Sequence, residues 1–132
     1  MFTFVGKRIL DEKKYAISQF INSGLRNKPI KVNTKSKIYR SYMHGDDMVR
    51  WILTILSKSS PKCPTYNVGS NESISIQNLA KLVGEIFKTS VKIIKPSNKK
   101  IERYVPVIKK AQKELNLKLN YNLRTALHSI IK

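Results

Sequence analysis

Arg40 and Arg103 are the residues whose type and setting most demand a partner. Arg40 stands in Ile38-Tyr39-Arg40-Ser41-Tyr42, an alternating stretch that reads as a half-buried strand. Arg103 stands in the extended run Ile101-Glu102-Arg103-Tyr104-Val105-Pro106. Arginine is almost never buried unpaired, and its planar fork matches phosphate oxygens two at a time. Two such groups on separate extended segments would suit one pyrophosphate. A plainer reading pairs Arg40 with Asp46, Asp47 or Glu102, and Arg103 with Glu102; the sequence leaves both open. His44, beside Asp46 and Asp47, has the neighbours of a proton carrier. The same residues read more simply as a strand end followed by a helix that Asp47 caps. Cys63 lies between Lys62 and Pro64, where cations would lower its pKa, but no histidine is near it in sequence and it reads as an incidental thiol. His128 reads as a surface residue of the last helix.

Other chemistries find no residues to carry them. Gly6, Gly24, Gly45, Gly69 and Gly84 are isolated, so neither a phosphate-cradling loop nor a dinucleotide fingerprint can be built. No tyrosine is followed four residues later by lysine, and there is no Gly-x-Ser-x-Gly elbow. Two histidines and one cysteine, far apart, do not make a structural zinc site.

These side chains must be held by a small scaffold. The 132 residues are enough for one domain, residues 1–132, and too few for two. A hydrophobic fraction of 41% permits a packed core. The lone cysteine excludes an internal disulfide and makes a reducing cytoplasm the expected compartment. No apolar run reaches the ~20 residues that cross a bilayer, so no membrane span is expected. The formal net charge of +18 would suit nucleic acid or a small phosphorylated ligand. Its densest cluster, Lys95, Lys99, Lys100, Lys109, Lys110 and Lys113, lacks interleaved aromatics, so a solvated basic face is favoured over a base-stacking surface.

Periodicity and punctuation predict a mixed α/β chain of five helices and about five short strands. Phe2–Val5 reads as a buried strand, and Asp11 or Glu12 to Leu25 as a helix with Ala16, Ile17, Phe20, Ile21 and Leu25 inward. Ile30–Val32 and Ile38–Met43 read as strands. Val49, Ile52, Leu53 and Leu56 fall at i, i+3, i+4 and i+7 and read as the inner face of a second helix. Thr65–Val68 is strand-like. Ser75 caps a helix striped by Leu79, Leu82, Val83, Ile86 and Phe87, Val91–Ile94 is a strand, and Pro106 opens a helix carrying Ile108, Ala111 and Leu115. Asn122 caps the last helix, with Leu123, Ala126, Leu127, Ile130 and Ile131 inward.

Four blocks, in order, resemble one family. They are Phe4-Val5-Gly6, Arg40-Ser41-Tyr42-Met43-His44-Gly45-Asp46-Asp47-Met48-Val49, Tyr66-Asn67-Val68-Gly69 with Ile74-Ser75-Ile76 and Leu79-Ala80, and Arg103-Tyr104-Val105-Pro106 with Lys110-Ala111 and Glu114-Leu115-Asn116. Together they resemble the extended short-chain dehydrogenase/reductases, the NAD-dependent nucleotide-sugar epimerases and dehydratases of the dTDP-glucose 4,6-dehydratase type. The resemblance covers that family's C-terminal portion only.

It implies the C-terminal part of a Rossmann-type epimerase fold that lacks the dinucleotide-binding half. The implied role is nucleotide-sugar binding without catalysis by this chain alone, and with no cofactor of its own, NAD belonging to the parent family. Arg40 matches the family's pyrophosphate arginine and Arg103 a second phosphate-binding arginine. Pro29, Ile30 and Val32 match the strand lining the nucleotide base, and Lys14 and Tyr15 the helix that covers the substrate. Asp47 matches an aspartate expected to be structural. Lys7, Val107 and Asn33-Thr34-Lys35-Ser36 depart from the family pattern. Strand edges and helix faces left bare by a missing half imply self-association or a separately encoded Rossmann partner. Two alternatives stand beside this reading: a subunit of a split enzyme active only with that partner, and a basic nucleic-acid-binding module that keeps only the fold.

Overall fold

The structure, a computed structural model, describes residues 2–7, 15–94 and 100–131. In chain order the elements are β1 (Thr3–Val5), α1 (Ala16–Leu25), β2 (Ile30–Asn33), β3 (Lys37–Arg40), β4 (Tyr42–His44), α2 (Gly45–Ser57), β5 (Ile74–Ser75), α3 (Ile76–Phe87), β6 (Val91–Ile94), β7 (Ile101–Tyr104), α4 (Lys109–Leu115) and α5 (Leu123–Ile131). This is the mixed α/β composition that the sequence predicts. The strands form three small sheets. β1 and β4 pair in parallel, as do β2 and β6, while β3 lies between antiparallel β5 and parallel β7.

The main core gathers the inward stripes of α1, α3 and α5 around β2. Ile17, Phe20 and Ile21 meet Leu79, Ala80 and Val83, with Ile30 and Val32 beneath and Leu123, Ala126, Leu127 and Ile130 closing one side. Strand alternation explains β2: Ile30 and Val32 point in, and Lys31 and Asn33 point out. α1 and α3 approach closely because Gly24 lacks a side chain; a Cβ there would meet the Phe87 ring at 2.6 Å. Ser75 caps α3 by accepting from Asn78 N at 3.2 Å, and Asn122 Oδ1 caps α5 by accepting from Thr125 N at 2.8 Å. A second core, of Met43, Trp51, Ile108, Ala111 and Leu117, joins α2 to α4.

Several expectations are corrected. The run read as one strand over Ile38–Met43 is two, broken at Ser41, so β3 and β4 enter different sheets. Asp47 does not cap α2. The cap is His44, whose Nδ1 accepts from Asp46 N, while Asp47, 1% exposed, sits in the first turn. There its carboxylate accepts from Asn120 N, Tyr121 N and Arg50, tying the 116–122 loop to α2.

Thr65–Val68 joins no ladder. Side chains hold it instead: Tyr66 donates to Glu114, Asn67 to the Val107 carbonyl, and Lys110 to the Thr65 carbonyl. Leu25 and Ile131 are exposed. Val49, Ile52, Leu53 and Leu56 are the outer face of α2, at 50, 47, 59 and 67% exposure, because Trp51, Met48 and Ile55 take the inner one. Asp11, Glu12, Lys95 and Lys99 lie outside the described residues.

Candidate functional site

β3 decides where both arginines go. In the parallel register Tyr39 faces Arg103 and Arg40 faces Tyr104. Paired residues share a face of a sheet and successive ones alternate, so Arg40 and Arg103 occupy opposite faces. The ring contacts agree. The Arg40 guanidinium lies 6.0 Å from the Tyr104 ring centre, and that of Arg103 lies 4.8 Å from Tyr39. Arg103 also donates to Ser73 Oγ at 3.1 Å. The strands bring the two arginines side by side and aim them apart.

Arg40 lines a cavity of about 200 Å³ together with Thr3, Tyr15, Ala16, Thr34, Ile38, Tyr42 and Ile76. The volume is below the roughly 300–1,000 Å³ of whole small-molecule pockets, so it takes a portion of a ligand. Among the described residues Arg40 has no carboxylate partner. It donates to the Tyr39 carbonyl at 2.9 Å, and Asp47 is spent on Arg50. A half-buried cation in such a cavity is matched to an anion. Tyr42 sits next to it with its phenol pushed up to about 12, because burial disfavours the phenolate more than the Arg40 charge favours it. The hydroxyl is therefore a neutral donor at physiological pH.

The remaining predicted residues are placed as follows. Tyr15 joins Arg40 in the cavity, and its carbonyl starts α1 by accepting from Gln19 N. Pro29 is exposed. The side chains of Ile30 and Val32 are buried in the main core, so these two residues can offer a ligand only backbone. Lys14 lies outside the described residues. Thr3, Thr34 and Tyr42 were not singled out from sequence. Thr34 had a signal, since it falls where the turn departs from the family pattern, and it accepts from Gln77 Nε2 at 3.2 Å. Thr3 had none: a threonine in a three-residue strand looks like any other.

A larger cavity, about 590 Å³, opens at the C-terminal ends of β1 and β4, lined by Gly6, Lys7, His44, Gly45, Asp46, Met48, Val49 and Ser129. Ligands of open parallel sheets bind at such ends. His44 is fully engaged there. Nδ1 accepts from Asp46 N, so Nε2 carries the proton and donates to Ser129 Oγ at 3.2 Å, which itself donates to the Ala126 carbonyl. The ring stacks on Tyr121 at 4.0 Å. A histidine that donates to the serine beside it cannot act as that serine's base, so the His–Ser–Asp neighbourhood is structural. Among the described residues no cluster of His, Cys, Asp or Glu could hold a metal ion, and no helix is long and apolar enough to cross a membrane.

A sequence profile of the NAD dependent epimerase/dehydratase family matches residues 1–69, just over half of the chain. The chain belongs to that family. No curated protein matches it. Among solved structures it is similar to three Bacillus cereus and Thermotoga maritima enzymes. UDP-glucuronic acid 4-epimerase from Bacillus cereus, in complex with UDP-glucuronic acid and NAD, is 21% identical with a TM-score of 0.76 over 97% of this chain and 41% of that one. UDP-N-acetylglucosamine 4-epimerase from the same organism is 17% identical, with a TM-score of 0.81 over 98% and 42%. UDP-glucose 4-epimerase from Thermotoga maritima, with UDP-glucose, is 20% identical, with a TM-score of 0.79 over 98% and 42%. At these identities the likeness is one of fold, and the chain spans less than half of each enzyme's length.

The described residues do not fit the family's NAD. At the one helix that directly follows a parallel strand here, α2 after β4, the first turn carries Asp46 and Asp47 and the His44 ring covers the entry. Two carboxylates and no Gly-rich turn would repel a pyrophosphate rather than cradle it.

Proposed function

We propose that this chain is the nucleotide-sugar-binding portion of an epimerase- or dehydratase-type enzyme, and that it performs no hydride chemistry by itself. The observation that carries this reading is the cavity that gathers Arg40, Tyr15, Thr34 and the protonated Tyr42 phenol. A cation with no carboxylate partner among the described residues, flanked by neutral donors, suits a diphosphate oxygen. The cavity's size fits the phosphates and leaves base and sugar to flanking surface. The neighbouring fold is that of enzymes solved with UDP-sugars, which makes UDP-sugars the first ligands to try. Arg103, held by Ser73 and Tyr39 on the other face, is outside this site.

Calorimetric titration with UDP-, dTDP-, CDP- and GDP-sugars, at about 50 and 200 mM salt with a DNA duplex as competitor, tests the reading. Saturable, base-selective binding is expected. Arg40→Ala should weaken it about 10–100-fold, the worth of one lost charge-assisted hydrogen bond. Arg103→Ala should change it by no more than about twofold. Binding that follows salt alone and ignores Arg40→Ala would replace this reading with the basic nucleic-acid module.

A further inference from the structure

The face of β3 turned away from Arg40 collects positive charge around a ring. By alternation and register, the residues standing on it are Lys37 and Tyr39 from β3, Ile101 and Arg103 from β7, and Ser75 from β5. These strands put no carboxylate on this face, since Glu102 pairs with Ile38 on the Arg40 side. Among the described residues neither Lys37 nor Arg103 is ion-paired. Both cations sit at the Tyr39 ring, whose centre lies 5.6 Å from Lys37 Nζ and 4.8 Å from the Arg103 guanidinium. β3 is the middle strand, so Arg103 flanks Tyr39 from β7 and the other flank borders β5. On that flank lies a cavity of about 280 Å³, lined by Lys37, Tyr39, Ser75, Gln77 and Asn78. It shares no lining residue with the Arg40 cavity.

We infer that this face binds a single polynucleotide strand, with one base seated beside Tyr39 and the flanking phosphates on Lys37 and Arg103. Four features select that ligand. An aromatic ring among cations suits any single strand, because every base has a π-face and every linkage a negative charge. The recess beside the ring takes a base only when that base is unstacked from its neighbour, which a duplex denies it. Gln77 and Asn78 put amides on the wall, and an amide can both donate to and accept from a base edge. The net charge of +18 favours a polyanion over one nucleotide. Strand pairing brings Tyr39 to Arg103, so no linear run of lysines and aromatics announces the platform. The inference goes beyond the proposed function and does not rest on it, since it uses the opposite face of the sheet.

Fluorescence anisotropy tests it with labelled thymidine strands of about 12 nucleotides, within the site sizes of single-strand binders. Abasic strands of equal length and the matching duplex serve as comparisons, and uridine ribo-strands show which sugar is preferred. The base-bearing strand is expected to bind at least about fivefold tighter than the abasic strand or the duplex, the worth of one stacked base. Tyr39→Leu, checked for native circular dichroism, should erase that advantage, and Tyr39→Phe should keep it. Lys37→Ala and Arg103→Ala should weaken base-bearing and abasic strands alike, at least about threefold, and each lower the salt slope by about 0.7. Lys58→Ala, exposed at the end of α2, should change binding by no more than about twofold. Excess UDP-glucose should leave the strand bound. No binding, equal binding of abasic and base-bearing strands, or an advantage that survives Tyr39→Leu would each overturn the inference. So would a loss from Lys58→Ala as large as that from Arg103→Ala, or displacement by UDP-glucose. Failure of the Arg40 titration leaves a positive result here standing, and failure here leaves that titration standing.

Discussion

α2 and α3 carry apolar stripes at the same helical spacing and meet opposite fates. On α3, Leu79, Ala80 and Val83 are fully buried against α1 and α5. On α2 the stripe of Val49, Ile52, Leu53 and Leu56 faces outward, and a second row, Met48, Trp51 and Ile55, packs inward. The difference lies in what opposes each helix. α3 has one apolar face and finds two helices to bury it. α2 has two apolar faces and, among the described residues, packs one of them against β1, β4, α4 and the loop after α4, where the Trp51 indole donates to the Lys118 carbonyl at 3.1 Å. An indole is both the largest apolar payload and a donor needing a partner, so it takes the inner position. The periodicity of a stripe establishes that a helix is amphipathic; its burial depends on a neighbour.

The sharpest test of that contrast is truncation on α3. Leu79→Ala should cost about 2–5 kcal/mol in urea unfolding, the cost of a collapsed or persisting cavity in a dense core. A loss below about 1 kcal/mol would mean α3 is no better packed than the outer face of α2. Next is Tyr42, which lies three residues before α2 yet belongs to the α3 core. Its folded pKa is raised to about 12 from 10.0, so the folded state holds the proton that the unfolded state releases. The stability this contributes is complete below pH 10 and is lost as pH rises from 10 to 12. The stability of the wild type relative to Tyr42→Phe should therefore fall across that window, by on the order of 2 kcal/mol. A constant difference would place the phenol in water. The smallest effect is expected for Leu53→Ser on the outer row of α2. It should shift the chain's own stability by no more than about 0.5 kcal/mol, and a larger loss would show that the row is already covered.

Much of the frame was legible beforehand for reasons that are local. Ser75 and Asn122 were readable as caps because a short side chain at the start of an apolar period satisfies a backbone N–H whatever surrounds it. The stripes of α1, α3 and α5 were readable because each helix has one apolar side. Asp47 was misread as the cap of α2, since His44 takes that bond and loop amides far along the chain claim the carboxylate. Thr65–Val68 has strand composition but pairs with no strand among the described residues, and composition carries no information about partners.

The candidate site divides in the same way. By itself the sequence determined that Arg40 would sit in an extended half-buried segment, and the resemblance around it pointed to a phosphate. It also determined that no dinucleotide loop could form, because glycine spacing is a local property. Only the tertiary structure decided that Arg40 and Arg103 face apart, that Tyr15, Thr34 and Tyr42 join Arg40, and that α2 turns Trp51 inward. Each of these is set by pairing register or by the choice between two apolar faces. A shift of one residue in register sends every side chain of a strand to the other face, and that register is fixed by contacts between segments more than sixty residues apart.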